Sequence, residues 1–138
     1  MSTAELTRQL VVFSLGDEEY ALPITQVQEI IRFSEPRPVA SDVAWIRGVI
    51  SLRGKIIPVC DLASRLGVGH EAGRDQKIVV LETVTGTAGV IVDQVEEVLT
   101  VESDQLDDVP GAATDLIEAI AKIDDRLVVL LNPDTIFA

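Results

Sequence analysis

The sequence predicts a mainly β protein built as two small antiparallel barrels that share a seam. Three observations predict it. Apolar residues fall in short β-branched runs separated by turn residues, the pattern of hairpins. The helical signals are confined to single turns beside caps. The pattern also occurs twice: ALPITQVQEII at 21–31 parallels GVIVDQVEEVL at 89–99, and IRGVISLRGKIIPVCDL at 46–62 parallels IEAIAKIDDRLVVLLNP at 117–133. The first pair is offset by 68 positions and the second by 71, and the agreement lies in apolar positions, turns and caps in register.

In order along the chain, Met1 to Thr7 is polar and frayed, and Leu10 to Leu15 is a strand that stops at Gly16 and Asp17. Glu19 to Leu22 returns, and Pro23 ends it. Thr25 with Gln28 has capping-box spacing, so Gln26 to Ile31 reads as a short helical turn with Val27, Ile30 and Ile31 inward. Pro36 and Pro38 bracket a loop. A hairpin follows over Ile46 to Leu62, turning at Arg53 and Gly54. Glycine at the second central position favours a type II or bulged turn, with the Arg53 guanidinium displayed at the tip. Asp61 caps a helical turn from Leu62 to Leu66 that Gly67 terminates.

Gly67 to Asp75 has no hydrophobic periodicity and marks a boundary. The chain therefore reads as one domain, 1–138, with subdomain one at about 8–66 and subdomain two at about 76–138. Ile78 to Leu81 and Gly89 to Val92 are strands around a turn at Thr85 to Thr87, and Asp93 with Glu96 repeats the cap-and-reach spacing. Gln105 to Ala113 is an acidic loop. Ile117 to Ile123 and Leu127 to Leu131 form a last hairpin turning at Asp124 and Asp125, before Asn132 as a cap and Pro133 at a first helical position. The repeat sets Arg53 and Gly54 opposite Asp124 and Asp125. Turns that were merely structural would carry ordinary turn residues, as the second does, so an asymmetric function belongs on the first copy.

Composition narrows the function. The 138 residues hold 47% hydrophobic residues and few aromatics, enough for an aliphatic core. Eleven cationic residues against 23 acidic ones give a net charge of −12, which repels nucleic acid and anionic lipid. The single cysteine, Cys60, forms no intramolecular disulfide and reads as buried structure in a reducing compartment. No apolar stretch reaches the roughly 18 residues that span a bilayer, so a soluble cytoplasmic protein with no direct membrane insertion is expected. No catalytic motif stands out. His70 in HEAGR lacks the H-E-x-x-H ligand spacing, Gly67, Gly69 and Gly73 do not form a phosphate loop, and Cys60 has no neighbouring base. Neither a metal nor a cofactor is expected, and no enzymatic activity. Recognition by surface remains. Glu29 is placed to reach Arg53 across the barrel mouth, where an exposed pair is worth about 0.2 to 1 kcal/mol. Trp45 either caps a barrel end or anchors a partner.

Together, VVFSLGDEEYALPITQVQEI at 11–30, IRGVISLRGKIIPVCDL at 46–62, GVIVDQVEEVL at 89–99 and DRLVVLLN at 125–132 resemble the CheW family, the coupling adaptors of bacterial chemosensory arrays. The resemblance implies two five-stranded barrels and a non-catalytic scaffold recruited to membrane-associated receptor arrays. Its implied partners are methyl-accepting chemoreceptor tips and the regulatory domain of a CheA-type histidine kinase. By position, the receptor groove between barrels would use Ile24, Val27, Glu29, Arg53, Val95 and Val98. The kinase surface would use Phe33, Val39, Trp45 and Gly48, and a second ring contact Leu106, Asp107, Asp108, Val109 and Pro110. Three departures stand out. Ser51 occupies a position where the family commonly has asparagine, Asp107 and Asp108 make the second contact acidic, and the chain stops at Ala138 where many relatives continue into a helix. The same fold also fits a regulatory module excised from a larger kinase or receiver-linked coupling protein. A small-ligand barrel or carboxylate hydrolase is the alternative of a different class.

Overall fold

The computed structural model describes residues 7–40, 46–68, 75–107 and 116–136. The strands are β1 (Thr7–Leu15), β2 (Glu18–Pro23), β3 (Val27–Arg32), β4 (Ile46–Leu52), β5 (Lys55–Asp61), β6 (Lys77–Thr83), β7 (Gly86–Val92), β8 (Gln94–Glu102), β9 (Leu106–Asp107), β10 (Ile117–Ile123) and β11 (Arg126–Leu131). Two short helices, α1 (Leu62–Leu66) and α2 (Pro133–Ile136), follow β5 and β11. The mainly β reading holds.

The strands form two sheets, β8-β1-β2-β11-β10-β9 and β3-β6-β7-β5-β4. Each sheet takes strands from both sides of Gly67, so the halves of the sequence and the sheets of the fold are different partitions of the chain. The repeat governs this exchange. Strands β1 to β3 correspond to β6 to β8, and β4 and β5 to β10 and β11, so each sheet joins the first two strands of one copy to all the later strands of the other, three in the five-stranded sheet and four, counting β9, in the six-stranded one. The parallel seams inside the sheets obey the same mapping: Ala21 lies opposite Leu130, and Gly89, 68 positions after Ala21, lies opposite Val59, 71 before Leu130.

Neither sheet closes on itself as a barrel, which corrects the expected architecture; β3 and β4 remain edges of one sheet, β8 and β9 of the other. Their edges are instead brought round by the chain that leaves the first edge. In the five-stranded sheet, Arg37 exchanges backbone hydrogen bonds with Val49 on β4, at 2.8 and 3.0 Å. In the six-stranded sheet β9 does this, with Asp107 opposite Ile120, the repeat partner of Val49.

Alternation along the central strands feeds three cores. On β6, Ile78 and Val80 point into the five-stranded sheet's interior with Ile50, Ile57 and Ile91. Val79 and Leu81 point the other way, into a seam shared with Phe13, Leu22, Val90 and Leu131. On β1, Leu10 and Val12 face the six-stranded sheet's interior while Phe13 and Leu15 face the seam. The seam buries aliphatic surface from both sheets at about 25 cal/mol per Å², and it joins them into one body.

The helical turn expected over Gln26 to Ile31 is a correction. A 3-10 turn occupies Ile24–Gln26 without a side-chain cap, and Val27 begins a strand. Gln28 donates its side chain to Glu82 rather than back to the turn. Ile30, expected inward, is exposed. The spacing of Val27, Ile30 and Ile31 fits a helix, but in a window of six residues so does a bulged strand. The register slips between Val27 and Glu29, and the repeat-related strand β8 slips between its partners of Val12 and Phe13. These bulges switch the buried face, so Val27 reaches the seam while Ile31 reaches the sheet interior. At the expected cap Asp93, the carboxylate accepts from the Gly16 amide at 2.6 Å and from Gln76 at 3.2 Å, and the chain continues as β8. The other caps form. Asp61 accepts from the Ser64 amide, Gly67 closes α1 with φ 73°, and Asn132 accepts from the Asp134 amide.

Candidate functional site: the seam and the hairpin tip

The hairpin β4–β5 turns through Arg53 at φ 50° and Gly54 at φ 82°. Both central residues are left-handed, the type I′ arrangement, which replaces the expected type II or bulged turn. Its twist matches the right-handed twist of the flanking strands. Arginine enters this region at a steric cost. Among the described residues, the other non-glycine with positive φ is Asp124, at 53° and at the equivalent tip of the second copy. The left-handed first position of the tip is repeated; its second position and its side chains are not.

Arg53 forks onto Glu29, its Nη2 donating to Oε1 at 2.7 Å and its Nη1 to Oε2. Glu29 lies on edge strand β3 opposite Val80, whose side chain faces the sheet interior, so the pair spans the open mouth between the β3 and β4 edges. Hydrogen bonding from Arg53 holds the Glu29 carboxyl below its ordinary range, and Glu29 raises Arg53 in turn. Glu29 is three-quarters covered, whereas the arginine side chain is 70% exposed. The tether orients a guanidinium that solvent, or a partner, still reaches.

The other residues expected at the groove gather on either side of the seam. Val27 and Val95, related by the repeat, both pack against the seam core. Ile24 stands in the 3-10 turn before Val27 and lines a cleft of about 390 Å³ with Arg8, Pro23, Thr25 and Thr100. Val98 on β8 is 53% exposed. Of the expected kinase surface, Phe33 packs partly on the five-stranded sheet's core and Val39 is exposed, on the segment that Arg37 pins to β4. Gly48 is buried at that crossing: a Cβ there would lie 2.1 Å from the Arg37 carbonyl oxygen. Of the expected second contact, Leu106 packs on the six-stranded sheet's core and Asp107 pairs with Lys122 at 2.6 Å, which offsets part of its charge. Trp45, His70, Asp108, Val109 and Pro110 lie outside the described residues. Cys60 is buried in the seam core, and burial pushes its thiol up to about 12.

Sequence reasoning missed two polar junctions. Arg126 donates to Glu19 and sits 3.0 Å from Glu97, the repeat partner of Glu29, so the second copy ties its own mouth with an arginine on a strand instead of at the tip. Arg47, the extra residue where β4 slips register, meets Glu35 and Asp61. Its repeat partner Glu118 occupies the matching slip on β10 and pairs with Arg8. The signal for both was the repeat itself, read for charge as well as for apolar positions.

Comparison with known proteins agrees with this architecture. A family model described as a CheW-like domain matches residues 9–138. The chain is 31% identical over 94% of its length to the chemotaxis protein CheW of Rhizobium meliloti, covering 87% of that protein. It is 32% identical over 97% of its length to CheW of Bacillus subtilis, covering 90% of it. The crystal structure of the scaffolding protein TtCheW from Thermoanaerobacter tengcongensis is similar with a TM-score of 0.89 and 34% identity, over 96% of this chain and 93% of that one. The repeat with its exchanged strands, the seam, and these matches over nearly the whole chain together place the protein in the CheW-like domain family of chemotaxis adaptors.

Proposed function

We propose that the chain is a non-catalytic scaffold that couples the cytoplasmic tips of chemoreceptors to a CheA-type histidine kinase, and that it is recruited through them to membrane-associated arrays. The observation that carries this reading is the Arg53–Glu29 fork. A solvent-reachable guanidinium is held on a left-handed turn position, where a smaller residue would fit at less cost, and it is aimed from the mouth beside the seam. Receptor helices dock along Ile24, Val27, Val95 and Val98 with Arg53 as the polar contact. The kinase regulatory domain meets the edge of the five-stranded sheet around Phe33, Val39, Trp45 and Gly48, and a second ring contact uses the loop from Leu106 to Pro110. Among the described residues, no helix is long and apolar enough to cross a membrane, so array localisation would come from binding. Simultaneous binding converts two modest contacts into a stable assembly by raising effective concentration.

Co-sedimentation with receptor-bearing membranes, with and without kinase, tests the reading, followed by kinase activity. The protein should pellet with receptors and raise kinase activity only when both are present. A chain that stays in the supernatant with both partners contradicts it.

A further inference from the structure

The repeat exposes one junction where the two copies differ. In the β1–β2 turn, the Gly16 amide donates to Asp93, which directly precedes β8. The equivalent amide in the β6–β7 turn is that of Val84, 68 positions on. It donates at 3.0 Å to Asp134, on the C-terminal helix α2, and Thr25, the repeat partner of Asp93, takes no part. The same Asp134 oxygen accepts from Gln26 Nε2 at 3.2 Å, and Gln26 also donates to the Glu82 carbonyl at 3.3 Å. The repeat partner of Asp134 is Ala63 on α1, and Gln94, the partner of Gln26, instead reaches the Asp75 carbonyl. So the carboxylate of α2 belongs to one side only, that of Ile24, Val27 and Arg53.

We infer that Asp134 is a positioning residue for the docking groove: through Gln26 and the Val84 amide it fixes the 3-10 turn that carries Ile24 and leads into Val27. The helix is firmly seated for this role. Pro133 and Ile136 are buried, Ile136 lies in the seam core, and its carbonyl accepts from Arg65 at 3.3 Å. The Asn132 side chain accepts from the Asp134 amide and sets the orientation of the turn. Asp134 thus ties the end of the six-stranded sheet's last hairpin to the edge of the five-stranded sheet. For its effect on binding, the inference rests on the groove reading proposed above.

The test uses the full chain with Asp134→Ala and Asp134→Asn, the second of which keeps an oxygen acceptor. The Val27 amide, which donates to the Ile24 carbonyl and so closes the 3-10 turn, is the reporter. Hydrogen exchange at Val27 should speed up about five-fold in Asp134→Ala, the size of one hydrogen bond, and return towards wild type in Asp134→Asn. Binding of a soluble chemoreceptor cytoplasmic fragment should weaken by a similar factor in the alanine variant and recover in the asparagine variant. Unchanged exchange at Val27, or loosening that asparagine does not repair, overturns the inference, as does loosened exchange with unaltered affinity. If the wild-type chain does not bind the fragment, the groove reading fails, and exchange at Val27 alone decides whether Asp134 positions the turn.

Discussion

Arg53 sits where two effects oppose each other. Its left-handed backbone costs about 1 to 2 kcal/mol, and a solvent-screened ion pair returns only part of that. Stability therefore does not account for arginine at this tip. Asparagine there would create Asn-Gly, the favoured type I′ pair, so Arg53→Asn should fold with stability within about 0.5 kcal/mol of wild type or higher, measured by urea unfolding. The pair has its own signature in pH. Because Arg53 depresses the Glu29 carboxyl, its stabilisation is complete above the ordinary carboxylate range and is lost as pH falls through the lowered value, leaving neutral pH flat. Carbon-detected NMR titration of Glu29 should show a midpoint below the usual glutamate value of about 4.3 that moves up in Arg53→Ala; an unmoved midpoint would show that the fork does not form in solution. Gly48 is the opposite kind of residue, held for shape. With φ 149° and the Arg37 oxygen 2.1 Å from any added Cβ, Gly48→Ala must push away the strap that draws the β3 and β4 edges together. A loss of about 2 to 4 kcal/mol in urea unfolding is expected.

At the level of elements, paired bulges decide which core a strand serves. The extra residues on β3 and β8, and on β4 and β10, occur at repeat-related positions and re-aim the chain between sheet interior and seam. This is why the sequence read well in some places and badly in others. Strands β6 and β7 carry unbroken β-branched runs because both faces are buried, and they were legible as such. Strand β3 was not. Its apolar spacing crosses a bulge, and the resulting interval imitates a helical turn, reinforced by a Thr25 to Gln28 spacing whose glutamine is engaged elsewhere. Of the site, Arg53 and Glu29 could be named from the turn and the repeat. Asp134 could not, because its partners Gln26 and Val84 are distant in sequence. The seam face of β6 carries the largest expected penalty: Leu81, fully buried there, should cost about 2 to 5 kcal/mol as Leu81→Ala, by the same unfolding measurement.

At the scale of the whole molecule, the exchange of strands between copies makes the two halves interdependent. The duplication was readable because apolar positions, turns and caps recur in register, but the exchange was not, since either pairing satisfies the same local pattern and only long-range packing chooses between them. Fragments 1–68 and 75–138 each supply strands to both sheets, so each alone should show little β signal by circular dichroism and the equimolar mixture should recover it; a half that folds by itself as a monomer contradicts this. The same exchange puts the hairpin of one copy and the strand β8 of the other on either side of a single seam, so a partner lying there senses both sheets at once. Receptor-dependent kinase activation by Arg53→Asn tests that account most directly. The account predicts a variant as stable as wild type whose activation is lost; full activation by this stable variant would contradict it.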